Sequence, residues 1–197
     1  MRPLIAFPLH TGPRHETWLA HPPRAGIPEA LRPWLRDPGS LTARIRARCG
    51  RFAVQVVCQQ LARVHRDEAL LLGLRPGERA WLREVLLLAD GRPVVFARSL
   101  LPRRNVRGTW NLFHGMGSRP LGQALFSDPE ISRLPLACRR LDRRDARYHR
   151  AQAALAHHAP GQFVPRALWA RRSIFLLRGS ALMVSEAFLP EILELPR

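Results

Sequence analysis

The fold of this chain is constrained most by two apolar runs, 81–88 and 93–101, which meet at Asp90-Gly91. Each run has the length of a buried strand. Asp and Gly both tolerate the positive φ that a tight turn between antiparallel strands requires. The segment therefore predicts a β-hairpin.

Two further segments predict strands. Apolar residues two positions apart in 51–64 should share one face of a strand, namely Phe52, Val54, Val56 and Cys58. The runs 172–177 and 181–189 predict a second hairpin, with its turn at Gly179-Ser180. Because strands joined as hairpins pair antiparallel, the sequence predicts an α+β fold built on a single antiparallel sheet.

Short helices are expected between the strands, because capping and stop residues bracket several segments. Ser40 precedes a helical segment that ends before Gly50, and Ser118 and Pro120 precede another. The expected helical segments are 28–35, 41–48, 67–72, 121–126 and 142–158. Residues 1–26 lack a clear period and are expected to form an irregular lead-in, with a short strand near Leu4.

Length and hydropathy favour one domain without a membrane span. The 197 residues, 46% of them hydrophobic, suit a single globular domain over 1–197. No apolar run approaches the roughly 18 residues of a membrane helix. The apolar start is short and broken by Pro3 and Pro8, unlike a signal peptide, so we expect a cytoplasmic protein. We also expect a monomer.

The net charge of +17 arises from 32 basic residues, all of them Arg, against 15 acidic ones. An excess of this size is typical of nucleic-acid-binding proteins. The arginines are scattered, however, and their use without any Lys is what a biased genomic base composition would produce. We therefore expect no nucleic-acid partner, although the positive field should attract small anions.

The three cysteines, Cys49, Cys58 and Cys138, are far apart and form no Cys-x-x-Cys pair. This spacing favours reduced packing residues over a disulfide framework or a zinc site. The sequence also contains neither of the glycine-rich motifs that bind nucleotide phosphates. We expect no metal and no organic cofactor.

Arg83 is a charged residue within the first apolar run, on the same strand face as Trp81, Val85 and Leu87. A guanidinium among apolar neighbours needs an anion, and its flat fork fits a carboxylate at two points. Two interpretations remain open. Arg83 either binds a small carboxylate, or it reaches solvent or pairs with an acidic side chain of the protein.

Glu186 is the complementary acidic candidate, on the same face as Val184 and Phe188 in the last predicted strand. A buried carboxylate can hold a hydroxyl group or manage a proton. The alternative is an internal ion pair with Arg171 or Arg172.

Leu121 is a candidate through its backbone. If a helix begins at Pro120, the N–H groups of Leu121 and Gly122 lie in its first turn and lack partners within the helix. They can receive a carboxylate, aided by the helix dipole, and Gly122 permits close approach. The alternative is an ordinary helix start that binds water.

Five short motifs in this order resemble the chorismate lyase family. They are Trp-Leu-Arg-Glu-Val with Ala-Asp-Gly in 81–91, Ala97-Arg98 with Pro102, Arg119-Pro120-Leu121-Gly122 with Leu125-Phe126, Leu168-Trp169-Ala170-Arg171-Arg172-Ser173, and Glu186-Ala187-Phe188-Leu189-Pro190. The likeness extends from about residue 28 to residue 190. The segment 142–165 looks expanded relative to shorter members, and we expect it to form a surface helix.

The resemblance implies a fold, an activity and a set of contacts. Family members have an antiparallel sheet of about six strands, with helices folded over an enclosed site. They convert chorismate into 4-hydroxybenzoate and pyruvate without a cofactor, as the first step of ubiquinone ring synthesis. The product is held tightly in the buried site, which implies product inhibition.

By motif, the ligand contacts of the family fall on Arg83, Leu121 and Glu186, with Leu41 of the early helix as a fourth. Arg83 and Glu186 are the implied catalytic residues. We expect Arg171 or Arg172 to serve the enolpyruvyl carboxylate.

One alternative function is a non-catalytic domain that binds small aromatic acids. The effector domains of some transcription regulators resemble the lyase fold. The sequence shows no helix-turn-helix pattern, which counts against this alternative.

Overall fold

The computed structural model describes residues 18–106, 109–110, 117 and 119–196. In this part of the chain, seven strands form one antiparallel sheet. The strands are β1 (Phe52–Arg63), β2 (Arg79–Ala89), β3 (Arg92–Pro102), β4 (Ser132–Arg133), β5 (Ala137–Asp142), β6 (Ala167–Leu177) and β7 (Ser180–Phe188). Their order is β1-β2-β3-β7-β6, and β4 and β5 lie one after the other along the outer edge of β6.

Short helices connect and cover the strands, which confirms the α+β class. They are α1 (Arg32–Arg36), α2 (Leu41–Arg46), α3 (Arg66–Leu71), α4 (Arg103–Val106), α5 (Leu121–Ser127) and α6 (Ala146–His158), with 3-10 helices at Glu29–Leu31 and Pro190–Glu194. The predicted cap of α2 is present, since Ser40 Oγ accepts a hydrogen bond from the N–H of Ala43 at 3.3 Å. The cap predicted at Ser118 and the strand near Leu4 lie outside the described residues.

Six of the strands have six residues or more, which matches the expected number, and the seventh, β4, has only two. So short a strand carries no alternation that a sequence pattern could reveal. The first hairpin turns at Asp90-Gly91 as predicted, with φ values of 50° and 83°. The second turns at Arg178-Gly179, one residue earlier than predicted, because Leu177 pairs with Ser180.

A β-bulge in β1 makes one sequence prediction wrong. The register of β1 against β2 shifts between Val56 and Cys58, so the strand exchanges its two faces there. Val54 lies opposite Leu87, whereas Cys58 lies opposite Glu84 and donates its thiol hydrogen to that carboxylate. Cys58 therefore lies on the other side of the sheet from Val54.

Both faces of the sheet are covered. The front face carries Arg83, Val85 and Leu87 of β2 and packs against the early helices and α5. The back face carries Leu82, Glu84 and Leu86 and packs against α3 and α6. Because β2 and β3 lie at the centre of the sheet, they are buried on both faces.

The helix predicted in the variable segment is present as α6, and its outward side is exposed, as expected of a surface helix. One side of α6 is buried on the back face, through Tyr148, Ala151, Ala154 and Leu155. Within the described ranges, no helix combines the length and the apolar character needed to cross a membrane.

Candidate functional site

A cavity lies between the front face of the sheet and helices α2 and α5. The lining is largely apolar, with a few polar and charged groups. It consists of Leu41, Thr42, Val54, Arg83, Val85, Leu87, Ala97, Ser99, Pro120, Leu121, Gly122, Leu125, Phe126, Arg133, Arg171, Ser173, Phe175, Val184 and Glu186.

The register of the strands determines which residues lie side by side on the floor of the cavity. One row across β2, β3, β7 and β6 consists of Arg83, Ser99, Val184 and Ser173. The next row consists of Val85, Ala97, Glu186 and Arg171. With strands about 4.8 Å apart, the backbones of Arg83 and Ser173 are roughly 14 Å from each other. The polar groups are thus spread along a span suited to an elongated ligand.

Arg83 is 2% exposed, and only backbone carbonyls accept hydrogen bonds from it among the described residues. Its Nη2 donates to the oxygens of Gly117 and Arg119 at 2.9 and 3.1 Å. Its buried Nε has no partner in the described chain. Burial lowers the pKa of Arg83. The guanidinium therefore faces the cavity with spare donors and an uncompensated charge.

No described carboxylate lies within 4.0 Å of Arg83, and this sets it apart from the other buried arginines. Each of the others is paired with an acidic side chain, namely Arg98, Arg139, Arg147, Arg171 and Arg172. An unpaired buried charge is costly, and sites that keep one are often functional. Of the two interpretations left open by the sequence, the described contacts favour a site for an external anion.

Glu186 pairs with Arg171, which is its cross-strand neighbour. Nε of Arg171 donates to Oε2 of Glu186 at 2.5 Å, and Nη1 of Arg171 donates to the carbonyls of Trp34 and Asp37 at 2.8 Å each. No described residue donates to the other oxygen of Glu186, Oε1. This oxygen is available to accept a hydrogen bond from a ligand.

Arg172, the other arginine considered for the site, is not in the cavity. Neighbouring residues of a strand point to opposite faces, so Arg172 lies on the back of the sheet. There it donates to Oδ2 of Asp67 at 2.9 Å and stacks over Trp18. The structure thus brings Arg171 to the site and leaves Arg172 outside it.

Leu121 and Leu41, two of the ligand contacts that the resemblance implies, both line the cavity. Each is the first residue of its helix, α5 and α2 respectively. The two helices touch where Gly122 meets Thr42. A Cβ on Gly122 would lie 2.9 Å from Oγ1 of Thr42, so only glycine fits without displacement. Both residues of this contact line the cavity.

Arg133 is a cavity residue that the sequence analysis missed. Its Nε and Nη2 donate to Oγ of Ser173 at 2.9 and 2.6 Å, and its Nη1 donates to the carbonyl of Pro38 at 2.5 Å. The guanidinium also lies 5.4 and 5.3 Å from the ring centres of Phe126 and Phe175. Arg133 belongs to the two-residue strand β4, so neither an alternation nor a motif marks it.

The cavity carries an excess of positive charge. Arg83, Arg133 and Arg171 line it together with Glu186, the acidic residue among its described lining. Burial, with Arg171 nearby, lowers the pKa of Arg133 to about 10, so it stays charged at neutral pH. One arginine balances Glu186, and two remain for a ligand. The cavity is thus suited to a small, largely apolar molecule with two anionic groups.

The described residues contain no cluster of three or more His, Cys, Asp or Glu side chains that could hold a metal ion.

Comparisons with known proteins find relatives of this chain along nearly its whole length. The family model described as chorismate lyase matches residues 13–195. A probable chorismate pyruvate-lyase of Aromatoleum aromaticum is 68% identical over 93% of this chain and 97% of its own length. Its counterpart in Thiobacillus denitrificans is 47% identical over 89% and 90%.

Among solved structures, the effector domain of PhnF from Mycobacterium smegmatis matches with a TM-score of 0.48 and 17% identity. This match covers 78% of this chain and 90% of that one. The sequence matches extend over nearly the whole chain, and on their strength this protein belongs to the chorismate lyase family.

Proposed function

We propose that this protein binds chorismate in the front-face cavity and splits it into 4-hydroxybenzoate and pyruvate. The observation that carries the proposal is the buried Arg83, which has no acidic partner among the described residues and faces a cavity whose described lining has a surplus of two positive charges. Chorismate is a dianion with an apolar ring. Sequence relatives that are probable chorismate pyruvate-lyases support the same activity.

The reaction needs no external reactant. The bond between C3 and the ether oxygen breaks, and C4 loses its hydrogen, so the ring becomes aromatic. The enolpyruvyl group gains that hydrogen at its methylene carbon and leaves as pyruvate. The hydrogen passes either directly or through a base, and both routes balance. The task of the protein is to hold one conformer and stabilise the developing charge.

Each cavity group has a role in this proposal. Arg83 and the N–H of Leu121 hold the ring carboxylate, while Leu41 packs against the ligand. Glu186 accepts a hydrogen bond from the C4 hydroxyl at Oε1 and stabilises charge as the ether bond breaks. Arg171 orients Glu186 through the 2.5 Å contact at Oε2.

The product keeps two of the groups that these contacts recognise, the ring carboxylate and the hydroxyl. We therefore expect 4-hydroxybenzoate to bind tightly and to inhibit turnover. By the family resemblance, the product feeds the synthesis of the ubiquinone ring.

The test is to incubate the purified protein with chorismate and to measure both products. We expect 4-hydroxybenzoate and pyruvate in equal amounts. Glu186→Gln keeps the shape of the side chain but removes its charge, and we expect kcat to fall about 100-fold or more. Absence of turnover in the unmodified protein would contradict the proposed function. Unchanged turnover in the variant would show that the charge of Glu186 is not needed for the reaction and that the side chain only positions the substrate.

A further inference from the structure

We propose that Arg133 binds the second carboxylate of the substrate, the one on the enolpyruvyl group that leaves as pyruvate. This inference rests on the proposed function and refines it. It replaces the expectation that Arg171 or Arg172 serves this group.

The contacts of the three arginines decide between them. Arg172 lies on the back of the sheet against Asp67. Arg171 is occupied by Glu186 and by two backbone carbonyls. Arg133 lines the cavity and has only neutral acceptors among the described residues: the Ser173 hydroxyl and the carbonyls of Pro38 and Gly39. No described carboxylate forms an ion pair with it, although Glu186 and Asp37 are near enough to attract its charge.

The position of Arg133 fits a ligand with a carboxylate at each end. Arg133 is anchored on Ser173, in the same register row as Arg83 but three strands away. The backbones of Arg83 and Ser173 are roughly 14 Å apart. Both arginine side chains line the same cavity. A small ring with an ether-linked carboxylate presents one carboxylate to each of them.

Arg133 is held in place before a ligand arrives. Phe126 and Phe175 pack edge to face, and both rings lie near its guanidinium. Ser173 fixes two of its nitrogens. Preorganised donors of this kind lose little entropy when an anion binds.

Arg133 also lies between the cavity and a groove on the protein surface. Together with Phe126 it lines both the cavity and a groove on the surface, which includes Arg36, Pro38 and Leu134. The carboxylate bound by Arg133 is then the one nearer this groove. This arrangement places the departing pyruvate on the groove side and the ring product on the inner side.

A purely structural role for Arg133 is the competing explanation, because the residue also joins the Pro38-Gly39 turn to the sheet. The two roles differ in their dependence on the ligand. A structural loss weakens every ligand of the cavity, whereas loss of the second carboxylate contact weakens only ligands that carry two carboxylates.

The experiment uses two unreactive ring compounds that differ in one carboxylate, 3-(carboxymethoxy)benzoate and 3-methoxybenzoate. Their Kd values are measured by calorimetry with the full chain and with Arg133→Gln, Arg133→Lys and Arg92→Gln. Arg92 is an exposed arginine paired with Glu194 and is the matched control. Steady-state KM and kcat for chorismate are measured with the same proteins.

We expect Arg133→Gln to raise the Kd of the dicarboxylate about 10- to 100-fold. The Kd of the monocarboxylate should change less than about threefold, which also shows that the variant is folded. Arg133→Lys should recover part of the lost affinity, and Arg92→Gln should match the unmodified protein. KM for chorismate should follow the Kd of the dicarboxylate.

An equal loss of affinity for both compounds, or no loss for either, would overturn the assignment of Arg133. Failure of the unmodified protein to bind the dicarboxylate more tightly than the monocarboxylate would overturn it as well. If discrimination by Arg133 is observed but chorismate is not split, the proposed function fails and the dicarboxylate site stands.

Discussion

At the scale of the residue, Arg83 shows how sequence position and structural context combine. Alternation along β2 correctly predicts that it shares a face with Val85 and Leu87. Whether a protein acid neutralises it depends on residues distant in sequence, and no local pattern reports this. The same holds for Glu186, whose pairing with Arg171 depends on the register of β6 against β7. Arg133 was not predictable, because the contacts that make it relevant are all long-range.

An Arg83→Met variant should separate binding from stability. We expect kcat/KM for chorismate to fall at least about 100-fold, because two charge-assisted contacts to the ring carboxylate are lost. The free energy of unfolding should fall by less than about 1 kcal/mol, because an unpaired buried charge is removed at the same time. Chemical denaturation and steady-state kinetics check the two expectations. A large loss of stability would instead indicate that Arg83 supports the fold.

For the secondary-structure elements, the sequence predicts which segments are strands better than it predicts bulges and turn positions. Both hairpins follow from turn residues and apolar runs. The bulge in β1 and the one-residue difference at Arg178-Gly179 depend on pairing with a neighbouring strand. Strand β5 lies at the sheet edge in an Arg-rich stretch, where the pattern is weak, and β4 is too short to show one.

The contact between α2 and α5 gives a prediction for Gly122. In Gly122→Ala, the new Cβ would lie 2.9 Å from Oγ1 of Thr42, so either the Thr42 side chain must rotate or α5 must move away from α2. We expect a loss of about 1–3 kcal/mol in the free energy of unfolding and weaker binding of 4-hydroxybenzoate. Adding Thr42→Ala removes the clashing oxygen and should restore part of both. Gly122→Ala with normal stability and affinity would show that the contact is not tight.

At the scale of the whole molecule, the arginines have a structural role that the sequence analysis did not foresee. The scattered distribution and the absence of Lys suggested base-composition bias. In the structure, a network of ion pairs lies on the back face, and its members other than Arg150 are buried. Its acidic members are Asp67, Glu68, Glu84 and Asp145, and its basic members are Arg98, Arg139, Arg147, Arg150 and Arg172. Part of the positive charge is thus neutralised inside the protein.

Glu68 is the member of this network whose removal should cost most. It is fully buried and accepts hydrogen bonds from Arg98 and Arg147. Glu68→Gln leaves these two arginines short of a counter-charge, and we expect a loss of about 3–5 kcal/mol in the free energy of unfolding. The control is Glu194→Gln, an exposed partner of Arg92, for which we expect less than about 1 kcal/mol. Similar small losses for both variants would contradict the structural role.

The same network predicts loss of stability in acid. Burial alone would raise the pKa of Glu68, but Arg98 and Arg147 reverse this and hold its pKa below the ordinary value. The pKa values of Asp67 and Glu84 are also lowered, since arginines outweigh burial there too. Groups of this kind stabilise the fold above about pH 4.5 and lose that contribution as the pH falls through their folded pKa. Tm should therefore drop steeply below about pH 4.5, and less steeply in Glu68→Gln.

In the proposed complex, the front-face cavity holds the ring carboxylate on Arg83 and the ring hydroxyl on Glu186. A crystal structure of the protein with 4-hydroxybenzoate is the decisive measurement. We expect the carboxylate within hydrogen-bond distance of the Arg83 guanidinium and the hydroxyl at Oε1 of Glu186. A ligand bound in the reverse orientation, or bound outside the cavity, would contradict it.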